Sequence, residues 1–149
     1  MCQTNQPEFE KAMLVAVGSV YGIDIMLDNT KECVARLYHI VTEIYEQTFK
    51  TTYSEDVEHC LRFILSRNIV CGDALKMTDY KGNPIKLSEW KNPSNGWINR
   101  KEYAFKDLFD DSKDAKPLSD TQVPYYIPEI TKDFGNIDYR RVFEYAEQE

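Results

Sequence analysis

Two short apolar runs decide the fold of this 149-residue chain: Val20-Tyr21-Gly22-Ile23-Asp24-Ile25-Met26 and Asn68-Ile69-Val70-Cys71-Gly72-Asp73-Ala74-Leu75. Each run is rich in β-branched or other large apolar residues and is shorter than a helix, which is typical of a buried strand. Helical patterns fill the chain between them, and two parallel strands need a crossover of that kind. The sequence therefore predicts an α/β fold built on a parallel strand pair.

Three helices are predicted around these strands. Residues 7–19 open with Pro7, which suits a first helical position, and continue with apolar residues at helical spacing. A second helix follows Asn29, which forms a capping-box pattern with Glu32, and extends to about residue 50. Ser54 caps a third helix, whose apolar stripe consists of Val57, Cys60, Leu61, Ile64 and Leu65.

The remaining half of the chain is predicted to be less regular. Turn signals at residues 79–84 and 92–96 separate alternating segments, which indicates a β-hairpin or a small antiparallel appendage. Residues 110–120 are polar and predict a loop, and the prolines within residues 123–128 favour extended backbone. A short helix is predicted at residues 139–146. We therefore divide the chain into an α/β domain with a hairpin (1–110) and an acidic, loop-rich C-terminal extension (111–149).

Charge is unevenly distributed along the chain. The formal net charge is −7, and residues 107–149 contribute eleven acidic against five basic residues, so residues 1–106 carry only −1. An acidic segment repels a phosphate backbone, which argues against a free-standing nucleic-acid binder. Two interpretations stay open: a solvated tail, or an acidic surface that meets a basic partner.

Cysteine use and hydropathy indicate a cytoplasmic protein that does not enter a membrane. No apolar run approaches the ~18 residues that span a bilayer, and the first residues lack a signal-peptide pattern. The four cysteines form no Cys-x-x-Cys pair, so they predict neither a zinc site nor a redox motif. Cys33 and Cys60 fall in helical stripes and are expected in the core. His39 and His59 lie beside the stripes, where a catalytic role is not expected.

Asp24 and Asp73 are the candidate site residues, because each follows a predicted strand. Ligands of open α/β sheets bind outside the carboxyl ends of the strands, where a carboxylate can accept hydrogen bonds from both ribose hydroxyls. A second acid, after the next strand, can accept from an adenine amino group. The alternative is that such an aspartate only caps the helix that follows it.

The same stretches resemble a known family. The run from Val20 to Asn29, followed by Glu32-Cys33 and Arg36-Leu37, looks like the second cofactor-site motif of bacterial N6-adenine-specific DNA methyltransferases of restriction-modification systems. The run from Arg67 to Leu75 looks like their third motif. Pro84-Ile85-Lys86-Leu87-Ser88-Glu89-Trp90 resembles a segment that follows the third motif in some of these enzymes. The resemblance covers roughly residues 12–110.

The resemblance implies an S-adenosylmethionine site on an incomplete Rossmann-like methyltransferase sheet. By position, Asp24 would hold the ribose, Ile25 would pack on the adenine face, and Asp73 with Ala74 would meet the adenine edge. Two simpler roles remain open, since Ile25 suits a core strand position and Ala74 suits the start of a turn.

Two family features have no counterpart in this sequence. The glycine-rich loop that holds the methionine part of the cofactor is missing, and so is the catalytic Asn/Asp-Pro-Pro-Tyr/Phe motif, since Asn83-Pro84 and Asn92-Pro93 lack the second proline and the stacking aromatic. We expect a truncated or split methyltransferase piece that is not catalytic alone. The alternatives are a non-enzymatic acidic interaction protein, such as an inhibitor or decoy of a restriction or defence system, and a structural remnant.

In the family the glycine-rich loop follows a first strand, which is expected to be missing here together with the loop. In the family's sheet the strand of residues 20–26 lies between two neighbours, so here one apolar edge is expected to stay open, and open edges invite pairing. The sequence therefore predicts a homodimer or a protein partner at this edge, unless the tail covers it. DNA would be met only through a complementing chain.

Overall fold

The chain contains both helices and short strands, and the strands form small open sheets. This confirms the α/β prediction. The structure, a computed structural model, describes residues 5–108 and 129–149 and, as backbone only, residues 116–117 and 124–125. In chain order the elements are α1 (Gln6–Val17), β1 (Gly22–Asp24), α2 (Leu27–Phe49), α3 (Glu55–Asn68), β2 (Ile69–Asp73), β3 (Thr78–Asp79), β4 (Lys86–Lys91), β5 (Trp97–Ala104), a short 3₁₀ helix (Phe105–Leu108), β6 (Lys116–Pro117), β7 (Pro124–Tyr125), β8 (Ile130–Asp138) and a C-terminal 3₁₀ helix (Tyr139–Gln148).

The first sheet contains the predicted parallel pair. β1 pairs with β2 in parallel, with Gly22 opposite Ile69 and Asp24 opposite Cys71, and α2 and α3 form the crossover. β3 adds an antiparallel strand on the other side of β2. β1 is shorter than the predicted strand of residues 20–26, because the Asp24 carboxylate accepts from the Met26 N–H at 2.7 Å and α2 begins at the next residue.

The second sheet is antiparallel and has the order β4-β5-β8. β4 and β5 form the predicted hairpin. β8 was not expected, because its sequence, which includes Lys132, Asp133, Gly135 and Asn136, lacks the apolar alternation of a strand. Its register with β5 is interrupted by bulges, and long-range pairing forms it where local propensity does not.

The main core lies between α1, α3, the C-terminal 3₁₀ helix and one face of the second sheet. The whole predicted stripe of α3 is inaccessible to solvent. Cys60 belongs to it as expected; its thiol lies 3.2 Å from the Tyr139 carbonyl oxygen, and burial raises its pKa to about 11. Cys33 is only half-buried.

The C-terminal residues contribute to this core. The sequence predicts a loop-rich extension over residues 111–149, yet residues 130–149 form a sheet strand and a 3₁₀ helix, three of whose residues are buried: Tyr139, Val142 and Tyr145. The short helix expected at residues 139–146 is present with 3₁₀ geometry. The predictions for residues 110–120 and 123–128 lie outside the described residues, except for the backbone of β6 and β7.

Candidate functional site

The two candidate carboxylates lie at the same end of neighbouring parallel strands. Asp24 is opposite Cys71, and Asp73 follows Cys71 by two residues on β2. Residues two apart on a strand share a face, so both carboxylates lie on one face of the sheet, displaced from each other by about 7 Å along the strand direction. The structure thus brings Asp24 and Asp73 to one sheet end.

The Asp24 carboxylate is engaged with the start of α2. Its Oδ1 accepts from the Met26 N–H at 2.7 Å, and Asn29 Nδ2 lies 3.3 Å from each of its oxygens. Asn29 therefore does not cap the helix through the predicted capping box. Asp24 is not the helix cap considered as its alternative role, because the N-cap of α2 is Met26 and no side chain caps this helix; Asp24 orders the turn before it, and its contacts with Asn29 are long.

Asp73 organises the turn that follows β2. Its Oδ1 accepts from the Leu75 N–H at 2.9 Å and from the Lys76 N–H at 3.1 Å. Both hydrogen bonds go to Oδ1. Among the described residues, no donor to Asp73 Oδ2 is found, so this oxygen can accept from a ligand. Ala74 is exposed in the turn itself, which agrees with the simpler role considered for it.

Exposed apolar residues follow each of the two aspartates in sequence. Ile25, directly after Asp24, is 69% exposed, which excludes the core-strand role that its pattern also allowed. Met26 and Leu27 are about half exposed, and Leu75 beyond Asp73 is 95% exposed. Apolar surface beside carboxylates suits a ligand that combines a flat ring with hydroxyl or amino groups.

Gly72 controls the position of Asp73. A Cβ atom on Gly72 would lie 2.6 Å from the Thr78 carbonyl oxygen and 3.0 Å from the Asp79 Cα, so β3 approaches β2 more closely than any side chain allows. The opposing atoms belong to the backbone and have little freedom to move.

We expect Gly72→Ala to separate β3 from β2 and to lower the free energy of unfolding by about 1–3 kcal/mol. Urea unfolding checks the value. Gly82→Ala is the informative comparison, because Gly82 has open space around its Cβ position and only a positive φ of 87°. If Gly72→Ala is no more destabilising than Gly82→Ala, the close approach is not what requires glycine at position 72.

Asn68, which the sequence analysis passed over, links this site to the core. Its Nδ2 donates to the carbonyl oxygens of Gly18 at 2.9 Å and Val20 at 3.1 Å, and its Oδ1 accepts from the Trp90 indole N–H at 2.9 Å. Asn68 is fully buried and holds the segment that leads into β1. The available signal was a polar residue at the junction of an apolar helix and an apolar strand.

A cavity that the sequence did not predict lies on the second sheet. We call it the basic pocket; it has a volume of about 240 Å³ and is lined by Arg67, Lys86, Ser88, Arg100, Glu102, Lys132, Phe134 and Glu149. Its cations come from α3 and from three separate strands, so no local sequence pattern indicates it. It is built from different elements than the strand-end site.

Comparisons of the chain with family models, with curated proteins and with solved structures found no match. Within residues 5–108 and 129–149, no group of three or more His, Cys, Asp or Glu side chains is placed to hold a metal ion. No helix in the same part of the chain has both the length and the apolar character needed to cross a membrane.

Proposed function

We propose that the chain is the adenosine-binding part of an S-adenosylmethionine-dependent N6-adenine DNA methyltransferase and is not catalytic alone. The observation that carries the proposal is the placement of Asp24 and Asp73 on one face at the carboxyl ends of adjacent parallel strands. Rossmann-like sheets bind nucleotides at this position. The motif resemblance and the βααβ connection support the same assignment.

Each candidate residue has a role that its environment allows. Asp24 would accept from the ribose hydroxyls, which replace the 3.3 Å contacts with Asn29 by shorter hydrogen bonds. Ile25 offers an exposed apolar surface for the adenine ring, and Asp73 Oδ2 would accept from the adenine amino group. Ala74, with its small side chain, leaves the adenine edge accessible.

Methyl transfer would require a complementing polypeptide with the glycine-rich loop and the catalytic Asn-Pro-Pro-Tyr motif, neither of which is in this sequence. Among the described residues, β1 pairs with β2 alone, and Val20 and Tyr21, which directly precede β1, are more than 40% exposed. An added strand would cover this edge and its apolar flanks. A second copy of the chain is the alternative partner for this edge. DNA would reach the site only through the complementing polypeptide.

Binding of S-adenosylhomocysteine, followed by calorimetry, tests the cofactor role. We expect weak binding by the chain alone and a loss of about tenfold in affinity for Asp24→Asn, because this change removes the charge from the hydrogen bonds to the ribose. Asp73→Asn should weaken binding by a similar factor, since an amide presents one acceptor where a carboxylate presents two.

Asp28→Asn provides the matched control. Asp28 lies in the exposed first turn of α2, four residues from Asp24. Its substitution by asparagine removes the same charge at a residue that has no role in the proposed site. Equal effects of Asp24→Asn and Asp28→Asn would contradict the ribose role. Absence of binding at millimolar ligand, with circular dichroism showing a folded chain, would favour the non-enzymatic interaction protein instead.

A further inference from the structure

The basic pocket differs in charge from the rest of the chain. It has four cationic side chains, those of Arg67, Lys86, Arg100 and Lys132, and two carboxylates, so its local charge is +2 in a chain whose net charge is −7. Cations that share one cavity repel each other unless anions lie between them. Four of them in one cavity indicate a site that holds negative charge.

Arg100 forms the floor of this pocket and is held in a fixed orientation. It is 1% exposed, and its guanidinium carbon lies 4.1 Å from the ring centroid of Phe134 and 5.2 Å from that of Trp90. Its Nε donates to Ser88 Oγ at 2.9 Å. Burial lowers the pKa of Arg100 from its high usual value, although the Glu149 carboxylate opposes the change. A guanidinium stays charged under these conditions, so a pre-oriented cation faces the cavity.

A carboxylate of the chain itself lines the pocket and pairs with its arginines. The Glu149 carboxylate receives two parallel hydrogen bonds from Arg67, at 2.7 and 2.8 Å, and a third from Arg100 Nη1 at 2.7 Å. Burial alone would raise the pKa of Glu149, but these bonds hold it below its usual value. Two guanidinium groups that converge on one carboxylate form the arrangement by which proteins bind phosphate or carboxylate ligands.

Glu149 is held in the pocket mainly by its side chain. Its backbone N–H makes a long hydrogen bond of 3.4 Å to the Ala146 carbonyl oxygen, whereas Lys132 Nζ bonds the carbonyl oxygen of Gln148. Rotation of the Glu149 side chain would therefore free Arg67 and Arg100 without unfolding the C-terminal 3₁₀ helix. The pocket would then keep four cations against the single carboxylate of Glu102.

We propose that the basic pocket binds a terminal phosphate group and that the Glu149 carboxylate pairs with Arg67 and Arg100 when phosphate is absent. A phosphate dianion presents three oxygens and about twice the charge of a carboxylate, so it can engage Arg67 and Arg100 together with Lys86 or Lys132. The buried position of Arg100 at the floor favours a group that enters end-on over a phosphodiester with chain on both sides. This proposal is independent of the cofactor site.

Titration with inorganic phosphate, followed through the arginine Nε–H signals by NMR, tests the proposal. We expect phosphate to shift the signals of Arg67 and Arg100 in the wild-type protein. Glu149→Gln should bind phosphate about tenfold more tightly, because the internal competitor loses its charge. Arg67→Gln should bind about tenfold more weakly, and it keeps the test valid if Glu149→Gln fails to fold.

Glu147→Gln is the matched control, because Glu147 lies two residues before Glu149 in the C-terminal 3₁₀ helix, is exposed and lines no part of the pocket. This substitution should leave the affinity for phosphate unchanged. Replacing part of the buffer salt by chloride at equal ionic strength should also leave it unchanged. Equal affinities of the Glu149→Gln, Glu147→Gln and wild-type proteins would overturn the competitor role. An oligonucleotide without a terminal phosphate that binds as tightly as its 5′-phosphorylated form would overturn the assignment to a terminal phosphate.

Discussion

An Arg100→Met variant should have a free energy of unfolding about 3 kcal/mol below that of the wild-type protein, the largest loss we expect from a single substitution on the second sheet. Methionine keeps much of the length that packs against Phe134 and Trp90 but removes the guanidinium. Ser88 Oγ then loses its buried donor, and Glu149 loses one of its two arginine partners. Urea denaturation gives the free energy directly.

Lys101→Met is the comparison that isolates the buried site, because Lys101 is the next residue on β5 and points to the opposite face of the sheet. We expect it to change stability by less than about 0.5 kcal/mol. A double-mutant cycle of Arg100→Met with Glu149→Gln should then give a coupling of roughly 1.5–3 kcal/mol. Additive effects would show that the two side chains do not stabilise each other.

An Asn68→Ala variant should lose about 2–4 kcal/mol of unfolding free energy. The substitution removes three hydrogen bonds and leaves the buried Trp90 indole N–H and the Gly18 carbonyl without their partner. It also releases the segment that enters β1, so the position of Asp24 should become less well defined. Unfolding followed by tryptophan fluorescence measures the stability, and S-adenosylhomocysteine binding reports the effect on the proposed site.

Asn99→Ala serves as the reference for this change. Asn99 also makes a side-chain hydrogen bond, from its Nδ2 to Asn136 Oδ1 at 3.0 Å, but the pair is exposed to solvent. Water can replace the lost partner there, so we expect a change of less than about 0.5 kcal/mol. If Asn68→Ala is as mild as Asn99→Ala, Asn68 does not organise the junction between α1, β1 and β4.

The elements that could be predicted from sequence are those with a local pattern. The apolar stripe of α3 with its Ser54 cap and the β4-β5 hairpin each lie within one short, continuous stretch of sequence, and the structure confirms them. β8 could not be predicted in this way. Its stability comes from pairing with β5, a strand that lies far away in sequence, and its own residues favour turns as much as strands.

Among the site residues, too, only those with a local sequence pattern could be predicted. Asp24 and Asp73 could be placed at strand ends because each directly follows an apolar run, and the structure puts both at one end of the sheet. Asn68 and Arg100 could not be identified as buried, because their partners come from distant segments that no local pattern brings together. A polar residue gives little sign in sequence that it will be fully satisfied inside a core.

The contact between Tyr139 and Glu10 has a consequence for how the molecule opens. The Tyr139 hydroxyl lies 3.3 Å from Glu10 Oε1 across 129 residues of sequence, and burial raises the pKa of the Glu10 carboxyl there. α1 and the C-terminal 3₁₀ helix thus pack into the same core. The contact couples the two elements, so the amide hydrogens of their buried turns should exchange with solvent at similar, slow rates, as in a single cooperative unit.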